Sequence, residues 1–240
     1  MRGLLVALAF LTRLPVPARG EDAHARAASL AWYPLVGLLL GVLLGLLAWS
    51  LNGAPSMVRA TVVLVAWVAL TGALHLDGLA DSADAWIGGL GDRERTLAIM
   101  KDPRCGPAGV VALVLLLLCK FAALASLPPV AWPALLLAPL LARAGLTALF
   151  LTTPYVRGGG LGAALAEAPR ATCVMAVSLA GIACLLDGWR GLLALVAAGT
   201  VFGLWRRASV QRLGGFTGDV AGAVAESIEA VVLLALAVAR

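Results

Sequence analysis

The chain reads as an all-α, polytopic integral membrane protein, a helical bundle of about seven transmembrane helices forming a single domain over residues 1–240. Three observations predict this. Hydrophobic residues make up 62% of the chain and charged ones 13%, against about 45–50% and about 25% in a soluble domain. The mean hydropathy is +0.98, and one soluble core of this size cannot hide so much apolar surface. The apolar residues also come in continuous Leu/Ala/Val-rich runs, not in the short alternating segments of a β-barrel.

Each element follows from the runs in order. The start, MRGLLVALAFLTRLPVPARG, has the look of a secretory leader. Its apolar core is short, Arg13 interrupts it and no small-x-small cleavage site follows, so a retained segment at or partly in the membrane is expected. A spanning helix needs about 20 mostly apolar residues. Spans are expected near 33–51, 60–76, 107–127, 133–151, 171–187, 189–205 and 219–239. The fifth and sixth are short and separated only by DGWR, a tight hairpin. Pro34, Pro107 and Pro133 stand at span starts, where the missing N–H costs little. Gly37, Gly41 and Gly45 recur every four residues, a small-residue stripe suited to close helix packing.

Charge placement supports these spans. With residues 1–32 on one side, that side collects Arg2, Arg13, Arg19, Arg26, Arg93, Arg95, Lys101, Arg104, Arg157, Arg170, Arg206, Arg207 and Arg212. The other side receives Arg59, Arg190 and Arg240, while Lys120 and Arg143 fall inside spans. The positive-inside rule places the richer side in the cytoplasm. No basic tail or aromatic-basic module is present, so nucleic acid is not an expected partner. The four cysteines form no C-x-x-C pair and have no histidines nearby, which argues against a zinc site or a disulfide scaffold.

Three polar clusters carry the chemistry. The first is HLDGLADSADAW, where Asp77, Asp81 and Asp84 lie at i, i+4 and i+7 and share one helix face. Three bare carboxylates in a row repel one another unless a cation sits among them. Mg²⁺ suits carboxylate oxygens and bridges to substrate phosphates; the plainer alternative is a solvated acidic face. His75 is either a ligand or a hydrogen-bonded structural residue. The second cluster, MKDPRCGPAG, carries Lys101, Asp102 and Arg104. Arg104 has the planar fork that grips phosphate, and the Gly-Pro step opens a helix whose first N–H groups favour an anion. The third, RRASVQRLGGFTGDVAGAVAESIE, places Asp219, Glu226 and Glu229 within one broad face of the last span. Acids inside an apolar helix normally face a polar interior; Lys120 and Arg143 are their candidate countercharges. The loop from Thr153 to Arg170 adds Tyr155, Arg157 and a glycine run without G-x-G-x-x-G spacing, which excludes a Rossmann reading. Carboxylates, a divalent cation and arginines together suit phosphoryl transfer. An ion-coupled secondary transporter is the rival from another class, but it would place its site near the bilayer midplane and show repeated halves.

FLTRLPVP, HLDGLADSADAW, RERTLAIMKDPRCGPAG and GGFTGDVAGAVAESIE follow one another along nearly the whole chain. In that order they closely resemble the cobalamin synthase family, the adenosylcobinamide-GDP ribazoletransferases. The CDP-alcohol phosphotransferases share a D-G start, but their D-G-x-x-A-R pattern fails here at Asp81-Ser82. The resemblance implies an enzyme of the bacterial cytoplasmic (inner) membrane, with its active site facing the cytoplasm. Such an enzyme joins adenosylcobinamide-GDP to α-ribazole or its 5′-phosphate and releases GMP, with Mg²⁺ as cofactor. Carried onto this chain, it implies Asp77, Asp81 and Asp84 on Mg²⁺, with one of them, Asp81 foremost, or Asp219 as the base. It further implies Arg104 on phosphate, and Lys101 and Arg157 are further candidates from their own clusters. Membrane lipid surrounds such a protein, and a homo-oligomer is compatible with it.

Overall fold

A computed structural model describes residues 2–17, 23–128, 131–158 and 160–239. Arg19 and Arg240 of the charge count lie outside them. Twelve α-helices are present among the described residues: α1 (Arg2–Leu11), α2 (Ala23–Ser29), α3 (Tyr33–Ser50), α4 (Ser56–Thr71), α5 (Leu74–Gly88), α6 (Arg93–Ile99), α7 (Pro107–Ser126), α8 (Trp132–Thr152), α9 (Gly160–Ala166), α10 (Arg170–Leu185), α11 (Trp189–Leu213) and α12 (Gly218–Val238).

The stretch Ala23–Ser50 and helices α7, α8, α11 and α12 are each long and apolar enough to cross a membrane, so the chain is a multi-pass membrane protein. The remaining expected spans differ in form. Helix α10 is apolar but has only 16 residues, a length of about 24 Å. The expected span at 60–76 ends at Thr71, and α5 leaves α4 at 88°. The break has a local cause. Gly72 and Ala73 both take left-handed backbone angles, φ 62° and φ 56°, which ends a right-handed helix. A side chain at Gly72 would also collide with the Arg13 guanidinium, and the Arg13 N–H donates to the Leu70 carbonyl at 2.7 Å. The N-terminal segment thus holds the break from outside. It does so as the short helix α1, which buries Val6, Ala7 and Leu11 and is far too short to span.

Helices α8 and α12 are mostly buried, whereas α7 and α11 show most of their surface outward. The outward residues, such as Val111, Leu115 and Leu118 on α7 and Leu192, Val196 and Leu204 on α11, are apolar. That inversion marks a lipid-facing surface. The Gly37–Gly41–Gly45 stripe does what its spacing predicts. An added Cβ would meet the Pro139 carbonyl at Gly37, the Leu135 carbonyl at Gly41 and the Trp132 ring at Gly45, so α3 lies backbone to backbone on α8.

The ends sort as the charges predict. Asn52, Arg59, Ser126, Arg190 and Ala239 line one cavity at one end of the bundle. At the opposite end arginines tie elements together. Arg93 Nε donates to the Leu213 carbonyl at 2.9 Å, Arg212 to Trp86 at 2.6 Å, and Arg206 to Thr152 at 2.8 Å. The acidic helix α5 sits at this arginine-rich end.

Candidate active site

The site begins with how α5 meets α12. Gly78 lies against the first turn of α12; a Cβ there would stand 2.8 Å from the Asp219 carbonyl oxygen. Gly222 answers from the other side, where a Cβ would stand 2.9 Å from the His75 carbonyl oxygen. With no side chain at either contact the two backbones touch, and Asp219 comes beside the α5 aspartates. Thr217 caps α12, its hydroxyl accepting from the Val220 N–H and donating to Asp219 Oδ2 at 3.2 Å. That fixes the Asp219 carboxylate at the helix start.

A second strand of chain closes the site. The Phe216 N–H donates to the Pro154 carbonyl at 2.9 Å and the Val156 N–H to the Phe216 carbonyl at 3.0 Å. Phe150, Tyr155 and Phe216 stack around this join, with ring centroids 4.8–5.9 Å apart. Arg157 is thereby delivered to Asp219, Nη2 to Oδ2 at 3.0 Å, and the same group donates to the Met100 carbonyl at 3.1 Å. Its Nε is buried without a hydrogen-bond partner.

The α5 aspartates divide. Both oxygens of Asp84 accept backbone N–H groups, from Gly106 at 2.7 Å and Gly109 at 2.9 Å. The anion expected at the start of α7 is therefore Asp84 itself, which fastens α5 to α7. Asp77 and Asp81 stay on the side of Asp219. Helix α5 is outside the five spanning segments, and burial pushes the Asp81 carboxyl up to about 6. Asp77 and Asp219 push the same way and Arg157 opposes them. The cluster thus holds more negative charge than its one arginine balances. Among the described residues no three His, Cys, Asp or Glu side chains close into a ready-made metal cage.

Arg104, read as the phosphate grip, does not reach the carboxylates. It is 87% exposed and donates to Asp102 through Nε at 2.9 Å and Nη2 at 2.7 Å. Those bonds hold the Asp102 carboxyl down to about 2. Lys101 is likewise exposed.

Deeper in the bundle the expected countercharges do pair. Lys120 Nζ meets Glu226 Oε2 and Glu229 Oε2, both at 2.5 Å, and Arg143 Nη1 meets Glu229 Oε1. Two acids and two bases cancel, which is what burial at 4% exposure or less demands. Arg143 Nη2 also approaches His75 Nδ1 at 3.5 Å. A guanidinium only donates, so Nδ1 accepts and the ring is neutral with its proton on Nε2. The network therefore joins α7, α8 and α12 and reaches α5 through His75.

A cavity of about 260 Å³ opens between these parts, lined by His75, Asp77, Tyr155 and Asp219 among others. Carboxylates, a half-buried guanidinium nearby and a partly open, mostly apolar space are chemically suited to an anionic group with an apolar portion.

The cobalamin-5-phosphate synthase family model matches residues 3–237. The chain belongs to that family. Members similar to it include the adenosylcobinamide-GDP ribazoletransferase of Stutzerimonas stutzeri, 57% identical over 241 residues, which cover 99% of this chain and 98% of the relative. The enzyme of the same name from Pseudomonas paraeruginosa is 57% identical over 242 residues, again 99% and 98%. That of Pseudomonas aeruginosa PAO1 is 56% identical at the same coverage. No solved structure matches. In this cobalamin-5-phosphate synthase family member, sequence reasoning passed over Tyr33, a buried residue of the cavity wall. A tyrosine at the start of a span reads as a membrane-interface residue, and no spacing links it to α5 or α12.

Proposed function

We propose that this chain joins adenosylcobinamide-GDP to α-ribazole or its 5′-phosphate, releasing GMP, at the cytoplasmic face of the bacterial inner membrane. Membership of the family supports the reaction, and the excess of arginine at the α5 end supports the orientation. The observation that carries the assignment to this site is the Arg157–Asp219 pair facing Asp77 and Asp81.

The donor set fits Mg²⁺. The oxygens are hard, the cluster lacks positive charge, and Mg²⁺ is usually held by one or two carboxylates plus waters and substrate phosphates, not by an all-protein cage. Asp77 and Asp81, with Asp219, would hold it, and once bound the ion supplies neutralisation of the diphosphate charge. Asp84 serves by holding α5 in place. Arg157 binds phosphate oxygens, since its guanidinium stands beside the carboxylates and its Nε makes no hydrogen bond within the protein. A ribose hydroxyl of the acceptor attacks the phosphorus that stays with the corrinoid. The new O–P bond forms, the bond to GMP breaks, and GMP leaves with the electron pair. The hydroxyl proton passes to a carboxylate, Asp81 or Asp219.

Membranes holding the protein, given adenosylcobinamide-GDP, α-ribazole and Mg²⁺, are expected to release GMP. Release no greater than in protein-free membranes would overturn the assignment.

A further inference from the structure

The cavity at the end of the bundle away from α5 has a volume of about 660 Å³, within the about 300–1,000 Å³ usual for small-molecule sites. Arg59 lines it and is 6% exposed. Among the described residues its guanidinium donates only to the Ala54 carbonyl, at 3.4 Å, longer than the about 2.7–3.2 Å of a well-formed bond. It has no carboxylate partner among them, although a buried charge is normally paired. Arg59 also stands in the first turn of α4, where the helix dipole disfavours a cation. A second arginine, Arg190, lies in the first turn of α11 and lines the same cavity. Helix α8 starts there too, through Pro133 and Ala134. None of these three helices has an acid in its first turn or a side-chain cap, so their unpaired N–H groups add to the positive potential. The described lining holds no acid, and Asp187, three residues before Arg190, is no part of it.

We propose that this cavity binds the phosphate of an anionic phospholipid headgroup between Arg59 and Arg190. A guanidinium fork matches phosphate oxygens, and two arginines with three helix starts supply the charge that one phosphate balances. The depth in the membrane points to a lipid. Trp49 near the end of α3 and Trp189 at the start of α11 are 60% and 59% exposed at this same end, and exposed tryptophans sit at headgroup level. Beside the cavity, Met57 and Val58 on α4 and Leu192 on α11 are exposed and apolar, a surface for the acyl chains. The charge selects among lipids. A zwitterionic headgroup would bring an ammonium group to two arginines and no acid, whereas a headgroup charged only by its phosphate meets no such repulsion. The site stands at the other end of the bundle from the carboxylate centre, and the proposal does not rest on the reaction given above.

Native mass spectrometry of the detergent-purified protein, offered equal amounts of phosphatidylglycerol and phosphatidylcholine, tests this without any measurement of GMP release. Wild-type protein is expected to retain phosphatidylglycerol about tenfold over phosphatidylcholine, the order that one charged hydrogen-bonding partner gives. Arg59→Gln should abolish the preference. Arg190 is exposed, so Arg190→Gln leaves the packing intact, and it should lower the preference at least about threefold. Arg207→Gln, on an exposed residue at the arginine-rich end, should leave it unchanged. Inorganic phosphate at the same concentration as the lipid is expected not to displace it. Equal retention of the two lipids by wild-type protein would overturn the proposal, and that comparison needs no variant to fold. So would an unchanged preference in Arg190→Gln, or a preference lost only in Arg207→Gln, which would put the lipid in the other leaflet. Displacement by inorganic phosphate would overturn the lipid assignment and make a free phosphate the ligand.

Discussion

Arg157 and Arg104 carry the same charge on loops at the same end of the bundle, and they are not equivalent. Arg157 is half-buried, pinned by Met100 and Asp219, and keeps a buried N–H to spare. Arg104 lies in solvent, its fork closed on Asp102. Charge-assisted bonds gain strength where water is excluded. Arg157→Gln is therefore expected to lower GMP release by about 10²-fold, the order seen when one charge-stabilising donor is removed. Arg104→Gln should change it by less than about threefold; initial rates on both variants check the ordering. Asp81 supplies a second test at this scale. Burial and the carboxylates around it raise its pKa to about 6, and metal binding needs the ionised form. Activity should therefore fall as pH drops through about 6 at limiting Mg²⁺. Because the cation favours the carboxylate, saturating Mg²⁺ should move this limb to lower pH; a limb that ignores Mg²⁺ would argue that Asp81 is not a ligand. The residue types of the site were readable from spacing. The choice between the two arginines was not, because the docking of residues 154–156 on Phe216 joins segments sixty residues apart.

At the scale of the element, α5 is the part the sequence describes best and places worst. The i, i+4, i+7 aspartates do lie on one helix, Leu74–Gly88. The apolar run before them, however, shows no polar interruption at Gly72–Ala73, where the chain turns 88°. The turn needs two left-handed residues and the contact from Arg13, just beyond α1, and only the first half of that cause is local. Once turned, α5 depends on Gly78 to reach α12. Gly78→Ala puts a methyl group 2.8 Å from a backbone oxygen, which cannot swing aside as a side chain can. The expected cost is about 1–3 kcal/mol. It should appear as a lowered Tm in detergent together with lost GMP release, because Asp219 moves with the helix. An unchanged Tm with full activity would mean the two backbones are free to part.

Over the whole molecule the lipid-facing shell and the polar interior obey one rule. The charges deepest in the bundle pair with one another, and the outward faces of α7 and α11 are apolar. Lys120 and Arg143 against Glu226 and Glu229 satisfy the rule inside the bundle, and the arginine-rich end satisfies it in the loops. Composition and hydropathy sufficed for the bundle, and the asymmetry of arginine for its two ends. Five helices, or six spans with the bent α4–α5 pair, agree approximately with the about seven expected, and the short α10 accounts for the difference. Length and composition cannot show a bend. What the whole fold achieves is to bring Asp77 and Asp81 from one segment, Arg157 from a second and Asp219 from a third to a single point. GMP release by Asp81→Asn, which keeps the side chain's size and removes its charge, measures what that convergence does. With the variant as stable as wild type, the rate is expected to fall at least about 10²-fold and not to recover at high Mg²⁺. A rate equal to wild type at limiting Mg²⁺ would contradict a carboxylate centre at this place.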